Sequence, residues 1–344
     1  MSNSEIIHPK AIAVITGAAS GIGLAAALLY ARKGMSVVLT DLDSTSLNDA
    51  VDAVKGVEGV GEVFGIVVDV GKIEDVIKLR DWVFDIFGEV QILMANAGVS
   101  APTPAFSIHE PLQDVQDKWN KVLQTNFFGV LNTAQAFAPF MVKQENASAI
   151  IVTGSKQGIT CPPGNAGYNV SKAAVKTYTE QLAHELRSDS DSCCTAHLFV
   201  PGWVFTGLTG ANNLGAIKPT GAWTAEQTVD YMVEKVFGEG DFYVICPDNE
   251  TSPTLDKARI QWNMEDIILN RPALSRWHPN FKARFDDFIQ SKLGFGARSR
   301  SRGRAADRDG SQVPSNMTFA RKNIGGDAHV FASHQNSQWS NNHV

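Results

Sequence analysis

One change of pattern near the start of the chain restricts what it can fold into more than anything else in it. An apolar, β-branched run, AIAVIT (Ala11 to Thr16), passes into a glycine-rich turn, TGAASGIG (Thr16 to Gly23), and then into LAAALLYARKG (Leu24 to Gly34), a helical stretch closed by a glycine. Strand, glycine turn and helix in that order make a phosphate-binding corner. Glycines let the backbone turn sharply and come close to a pyrophosphate, and the helix N-terminus offers unpaired N–H groups with a partial positive charge. The spacing is G-x-x-x-G-x-G, set by Gly17, Gly21 and Gly23. Further apolar runs follow at SVVLT (Ser36 to Thr40), FGIVVDV (Phe64 to Val70), QILMA (Gln91 to Ala95), SAIIVTG (Ser148 to Gly154), CTAHLFV (Cys194 to Val200) and FYVIC (Phe242 to Cys246), with helix-length stretches between them. Alternation of this kind predicts an α/β fold, a single doubly wound Rossmann-type domain with a seven-stranded parallel sheet flanked by helices. Ligands bind such sheets beyond the carboxyl ends of the strands, where Gly17, Asp41, Asp69, Asn96, Ser155 and Pro201 fall.

The second strand ends on Asp41, about 20 residues past the glycine turn, a position from which a carboxylate meets the two ribose hydroxyls of NAD and repels the extra phosphate of NADP. No arginine or lysine lies inside the glycine turn or between Asp41 and Asp49 to offset that phosphate. NAD is the expected cofactor and NADP the alternative; Asp41 could also simply cap the helix starting near Ser44.

Tyr168 and Lys172 stand four residues apart in YNVSK, with Ser155 thirteen positions upstream. Four residues is one helical turn, so phenol and ammonium share a face with Cβ atoms about 5–6 Å apart. A unit charge about 4 Å away at an effective dielectric of about 20 contributes about 4 kcal/mol. That would lower a tyrosine pKa of about 10 by roughly three units, into the range where acid–base catalysis is efficient. The Ser155 hydroxyl can hydrogen-bond a substrate oxygen that gains negative charge during reaction.

In these motifs the chain resembles the short-chain dehydrogenase/reductase family over roughly Lys10 to Cys246. ANAG (Ala95 to Gly98), Thr125-Asn126, Ser155, YNVSK and PGWVFT (Pro201 to Thr206) follow the glycine turn in the family's order, with Ala95 standing where many members have Asn. The resemblance implies a catalytic set of Asn126, Ser155, Tyr168 and Lys172, with Asn126 holding a water that links Lys172 to solvent. It implies a cofactor site made of Gly17, Ser20, Gly21, Ile22, Gly23, Asp41, Asp69, Val70, Asn96, Ala97, Gly98, Tyr168, Lys172, Pro201, Gly202, Val204 and Thr206. Within that set Asp69 would meet the adenine ring and Thr206 the nicotinamide carboxamide. The family's substrate segments supply Ser155, Ile159, Tyr168, Trp203 and Phe205, with Pro162, Leu208, Trp223 and the loop around Phe106 nearby, an inventory that favours an apolar or aromatic compound. Family habit also implies a homodimer or homotetramer built through long central helices, about Asp117 to Lys143 and Tyr168 to Arg187.

The balance of the chain agrees with an enzyme. Its 36 acidic and 30 basic residues give a net charge of −6, which argues against a protein that coats nucleic acid. There is no apolar run long enough for a membrane span, and MSNSEIIHPK carries no secretory apolar core, so the cytoplasm is the expected location. The four cysteines, Cys161, Cys193, Cys194 and Cys246, show no metal-ligand spacing and read as reduced thiols, with Cys161 close enough to the motifs to border the substrate; no metal is expected. His109, His184 and His197 read as surface or packing residues.

Residues 1–250 therefore read as the nucleotide-binding and catalytic domain and 251–293 as a helical extension near the substrate mouth or a subunit interface. In the extension Thr251 to Asn270 forms an amphipathic helix, and Trp277, Phe281, Phe285 and Phe288 recur at near-helical spacing. Residues 294–344 contain RSRSRGR (Arg298 to Arg304) and then a polar stretch without periodicity, which reads as a disordered, solvated tail, with contact to RNA or an acidic partner as the alternative. Two other functions stay open beside an NAD-dependent alcohol dehydrogenase: an NADP-dependent carbonyl reductase, and a non-catalytic nucleotide-sensing or RNA-associated protein on the same scaffold. Deleting residues 296–344 is expected to leave turnover intact, which a steady-state assay of the truncated protein checks directly.

Overall fold

The computed structural model describes residues 6–189, 192–211 and 213–294. Those residues form a seven-stranded sheet in the order β3-β2-β1-β4-β5-β6-β7, every neighbouring pair parallel. The strands are β1 (Ile12–Thr16), β2 (Ser36–Asp41), β3 (Val63–Val67), β4 (Ile92–Ala95), β5 (Ser148–Thr153), β6 (Cys194–Val200) and β7 (Tyr243–Ile245). The main helices are α1 (Gly21–Arg32), α2 (Ser44–Lys55), α3 (Ile73–Phe87), α4 (Leu112–Leu123), α5 (Gly129–Met141), the single turn α6 (Gln157–Thr160), α7 (Ala166–Ser188), α8 (Ala225–Val233), α9 (Pro253–Ile268) and α10 (Lys282–Lys292). No helix among the described residues is long and apolar enough to cross a membrane.

Two apolar layers hold the sheet, and each strand feeds both by its period of two. In β1, Ala13 and Ile15 join Tyr30, Leu47, Val54 and Val229 on one side, while Ile12 and Val14 join Val76, Val83, Phe137 and Val175 on the other. β4 divides the same way, with Ile92 and Met94 on the first face and Leu93 on the second. A strand buried on both faces must read as a continuous apolar run, which is why these segments could be recognised. Because β1 lies between β2 and β4, the strand order reverses there, and a crevice opens beyond the carboxyl ends of β1 and β4.

Three elements depart from the sequence reading. The third strand ends at Val67 rather than Val70: it is the sheet's edge, its burial alternates, and the backbone turns at Val68 to donate to the Asp41 carbonyl at 3.0 Å. The central helix is not continuous. A π-helical turn, Gln124–Phe128, separates α4 from α5 and contains Asn126; such turns concentrate at functional sites. The stretch from Arg271 to Gln290 is not one helix either, because Pro279 has no N–H to give, and two 3₁₀ turns, Ser275–Trp277 and Pro279–Phe281, come before α10. The expected tail lies, from residue 295 onward, outside the described residues.

The extension has an interior of its own. Trp262, 3% exposed, donates its indole N–H to Ser275 Oγ at 2.8 Å, stacks under the Arg271 guanidinium at 3.9 Å, and meets Phe285 edge to face and Phe288 at a tilt. Asp266 accepts from Arg271 Nε at 2.8 Å and from the Ser275 amide at 3.0 Å.

At the first turn, Gly17 has φ +65°, and a Cβ there would stand 2.7 Å from Ala97 Cα. Gly23 is tighter. A Cβ on it would lie 2.2 Å from the Gly17 carbonyl oxygen, backbone on both sides, so α1 rests directly on the end of β1 only because this residue is glycine. Gly23→Ala is therefore expected to cost about 1–3 kcal/mol and to weaken dinucleotide binding, read as a lower Tm and a larger NADH dissociation constant.

Candidate active site

The ends of three strands are stitched together by one asparagine. Asn96, just past β4, donates its backbone N–H to Thr16 Oγ1 at 3.0 Å and its side-chain amide to the Thr16 and Gly17 carbonyls at 3.1 and 3.2 Å. Its Oδ1 accepts from Thr153 Oγ1 at 3.1 Å. A short polar side chain at this point satisfies buried groups that the parting strands can no longer pair, and it fixes the crevice width.

Above this stitch lies a cleft of about 710 Å³. It is lined by Gly17, Ser20, Gly21, Ile22, Asp41, Asp69, Val70, Asn96, Ala97, Gly98, Ser155, Tyr168, Lys172, Pro201, Gly202, Trp203, Val204 and Thr206, so the glycine corner and the Ser-Tyr-Lys set open onto one space. The N-terminus of α1 has no side-chain cap, which leaves its amide groups available to an anion. Asp41 accepts from the Ala19 amide at 3.0 Å and the Leu42 amide at 2.8 Å, which holds its carboxylate against the glycine turn. Asp43, and not Asp41, caps α2 by accepting from Ser46 at 2.8 Å, so the capping role considered for Asp41 falls to its neighbour. Asp69 accepts from the Gly71 amide at 3.0 Å.

Four of the expected site residues are not among those lining the cleft. Gly23 lies beneath the turn, as described. Asn126 is fully buried: its Oδ1 accepts from the Val99 amide at 2.8 Å, and its Nδ2 donates to Val99 O at 2.9 Å and Ser171 Oγ at 3.1 Å. Ile159 is turned by the one-turn helix α6 against the core layer rather than toward the opening. Phe205 donates its amide to Trp223 O at 2.9 Å and is not among the residues lining the cleft, while its neighbours Trp203, Val204 and Thr206 are. Cys161 also does not line the cleft, and burial raises its thiol pKa. His197 is a packing residue, its ring nitrogens bonded to Thr195 Oγ1 and Asp241 O, while His109 and His184 are exposed.

Lys172 is 3% exposed, and its Nζ donates to the Thr153 carbonyl at 2.7 Å. Loss of water pushes its pKa down to about 8. Gly98 stands beside both groups: a Cβ there would lie 3.5 Å from Asn126 Oδ1 and 3.8 Å from Lys172 Nζ, ordinary van der Waals separations. Tyr168 behaves differently from the expectation based on one neighbouring charge. Burial raises its pKa, and a hydrogen bond with the Ser155 side chain offsets only part of that rise. The cation that was to lower it is itself desolvated and directed at Thr153. In this cleft the phenol is protonated at neutral pH.

Sequence reasoning missed Lys156 and Asp248, both of which line the cleft. Lys156 Nζ lies 2.6 Å from Asp256 Oδ2, an ion pair rather than an aligned hydrogen bond, and 3.4 Å from Asp248 Oδ2. Asp248 also accepts from the Trp203 amide at 3.0 Å and the Thr251 amide at 2.8 Å. No local motif announces these partners, since Lys156 and Asp248 are 92 residues apart.

Residues 11–215 match the family model described as short chain dehydrogenase. The chain is 32% identical over 199 residues to a 3-oxoacyl-[acyl-carrier-protein] reductase from Thermotoga maritima, covering 58% of this chain and 76% of the reductase. It is 30% identical over 270 residues to a 1-deoxy-11-beta-hydroxypentalenate dehydrogenase from Streptomyces exfoliatus, covering 77% and 93%. The fold superposes on a crystal structure of a short chain dehydrogenase/reductase from Burkholderia phymatum in complex with NAD, with a TM-score of 0.66 and 31% identity over 77% of this chain and 97% of that one.

Lys172→Met is expected to reduce turnover by about a thousandfold or more. It should also raise stability at pH 7 by about 1–3 kcal/mol, because the folded wild type must keep a charge out of water that the unfolded chain does not. The sign follows from the depressed pKa: between about 8 and the ordinary lysine value of about 10.4 the unfolded chain holds the proton more firmly, so wild-type stability rises over that range and the difference narrows. Chemical denaturation of both proteins from pH 7 to pH 10 measures it.

Proposed function

This chain belongs to the short-chain dehydrogenase family, and on that premise we propose that it is an NAD-dependent oxidoreductase interconverting a secondary alcohol and a ketone on an apolar or aromatic small molecule. The observation that carries the reading is the shared cleft: the Ser155 and Tyr168 oxygens and the buried Lys172 open onto the same space as an uncapped helix N-terminus and a fixed carboxylate. The corner fits a dinucleotide on structural grounds, since Gly17, Ser20, Gly21 and Ile22 line the cleft at the uncapped N-terminus of α1, where free backbone amides can meet a pyrophosphate. Asp41, without a basic residue beside it, would take the ribose hydroxyls and disfavour a 2′-phosphate.

When bound, the nicotinamide supplies or accepts the hydride. In reduction the Tyr168 hydroxyl, protonated at neutral pH, gives its proton to the substrate oxygen, and in oxidation the phenolate takes it back. Ser155 Oγ hydrogen-bonds the same oxygen, a contact of the kind worth about 10²–10³ in rate. With a pKa of about 8 the Lys172 ammonium is mostly charged at pH 7, and its field favours the phenolate when Tyr168 must act as base. Asn126 holds the Gly98–Val99 backbone beside that ammonium through its two bonds to Val99.

The cleft's apolar lining, Val99, Trp203 and Leu208, supports a substrate with a hydrocarbon or aromatic body. The two relatives, by their names a 3-oxoacyl reductase and a hydroxypentalenate dehydrogenase, support carbonyl–carbinol chemistry in one direction or the other.

A panel of secondary alcohols, steroids, terpenols and polyketide-like phenols, followed by NADH fluorescence, tests the reading. One class is expected to be oxidised with NAD and not by Tyr168→Phe. Asp41→Ala is expected to move the NAD-to-NADP preference by about tenfold to a hundredfold toward NADP. Tighter binding of NADP than NAD by the unmodified protein would defeat the cofactor assignment.

A further inference from the structure

The turn that carries Ser155 is held from two sides. On one side α6 lies on α7 so closely that a Cβ on Gly158 would stand 2.4 Å from the backbone carbon of Lys172. On the other side lies α9, from the C-terminal extension. Asp256 and Asn263 are seven residues apart, two helical turns, and so share one face of α9. Asp256 pairs with Lys156 at 2.6 Å, and Asn263 Nδ2 donates to the Ile159 carbonyl at 3.0 Å. One helix face thus grips both ends of a segment that begins next to Ser155. Lys156 extends the grip to Asp248, which holds the amide of Trp203, another residue lining the cleft. Both carboxylates are buried, with side chains 6% and 7% exposed, and Lys156 is 20% exposed, so this is a nearly dry ionic cluster and not a solvated surface pair. Removal of one member leaves an uncompensated charge in the interior.

We propose that Lys156 is a positioning residue for the reaction, and that helix α9 of the extension acts through it and through Asn263 to set the place of Ser155 relative to Tyr168 and the Trp203 loop. The inference rests on the dehydrogenase reading above. Ser155 has to meet the same substrate oxygen as Tyr168, and a shift of about 1 Å in such a group can cost on the order of a hundredfold. The interior of Trp262, Phe285 and Phe288 makes α9 stiff enough to serve as that reference.

The test uses the full chain and the alcohol selected by the panel. Lys156→Met/Asp256→Leu removes both charges together, while Asp248 keeps its amide donors. This variant is expected to lose about tenfold or more in kcat, with the NADH dissociation constant within about threefold of wild type. Lys156→Arg, which keeps the cation, is expected to recover most of the rate. Asn263→Ala, a milder change, is expected to lower kcat about threefold or more at unchanged Tm and alone decides the matter if the double variant does not fold. A kcat within twofold of wild type in whichever of these two variants decides would overturn the proposal. If wild type binds NADH but oxidises nothing on the panel, the dehydrogenase reading fails separately. The clamp is then read by hydrogen exchange over residues 154–162: faster exchange in Asn263→Ala supports it, and unchanged exchange overturns it.

Discussion

A lysine ammonium kept out of water at the end of β5 is the constraint around which the rest of this site is arranged. It donates to the Thr153 carbonyl at 2.7 Å, and the cost of desolvation appears as a pKa near 8. Its surroundings hold that placement: Gly158 lets α6 close over the helix that bears it, and Asn126 fixes the adjoining backbone. A buried charge is weak evidence for stability, because apolar packing of the same volume is often at least as stable. Its retention here is better understood as serving the phenol one helical turn away.

The sheet supplies rigidity where this chemistry needs it. Buried on both faces, the strands end together at the reversal of strand order, and Asn96 ties three of those ends with bonds of 3.0–3.2 Å. The receiving side of recognition, Trp203 and Leu208, lines the cleft and is 38% and 51% exposed. Positioning by strands and reception by loops is the usual division in doubly wound folds. The extension past β7 adds a second support from outside the sheet, through the ionic cluster at Lys156.

Much of this was readable in the residues, for identifiable reasons. Two-faced burial writes a strand as an unbroken apolar run, so the seven strands and their order along the chain could be read, and glycine is required at Gly17 and Gly23 by contacts no other residue permits. The parts that escaped depend on three-dimensional placement. The π turn at Asn126 leaves no mark in the periodicity of α4 and α5, and the edge position of β3 shortened a strand that looked longer. Ile159 and Phe205 lie in segments where a single step of backbone phase decides which way a side chain faces. The partners of Lys156 are nearly a hundred residues away in sequence, and the direction of the Tyr168 shift turned on burial, which a helical spacing cannot report.

The central claim is that the Tyr168 phenol, protonated at neutral pH and sharing a cleft with Lys172, moves the proton between substrate and protein. The pH dependence of kcat/KM measured in both directions tests it most directly. Alcohol oxidation should rise as the pH increases above neutrality, because it requires the phenolate, and carbonyl reduction should fall over the same range, because it requires the phenol. Profiles that run in the same direction, or an oxidation rate independent of pH while chemistry is rate-limiting, would contradict it.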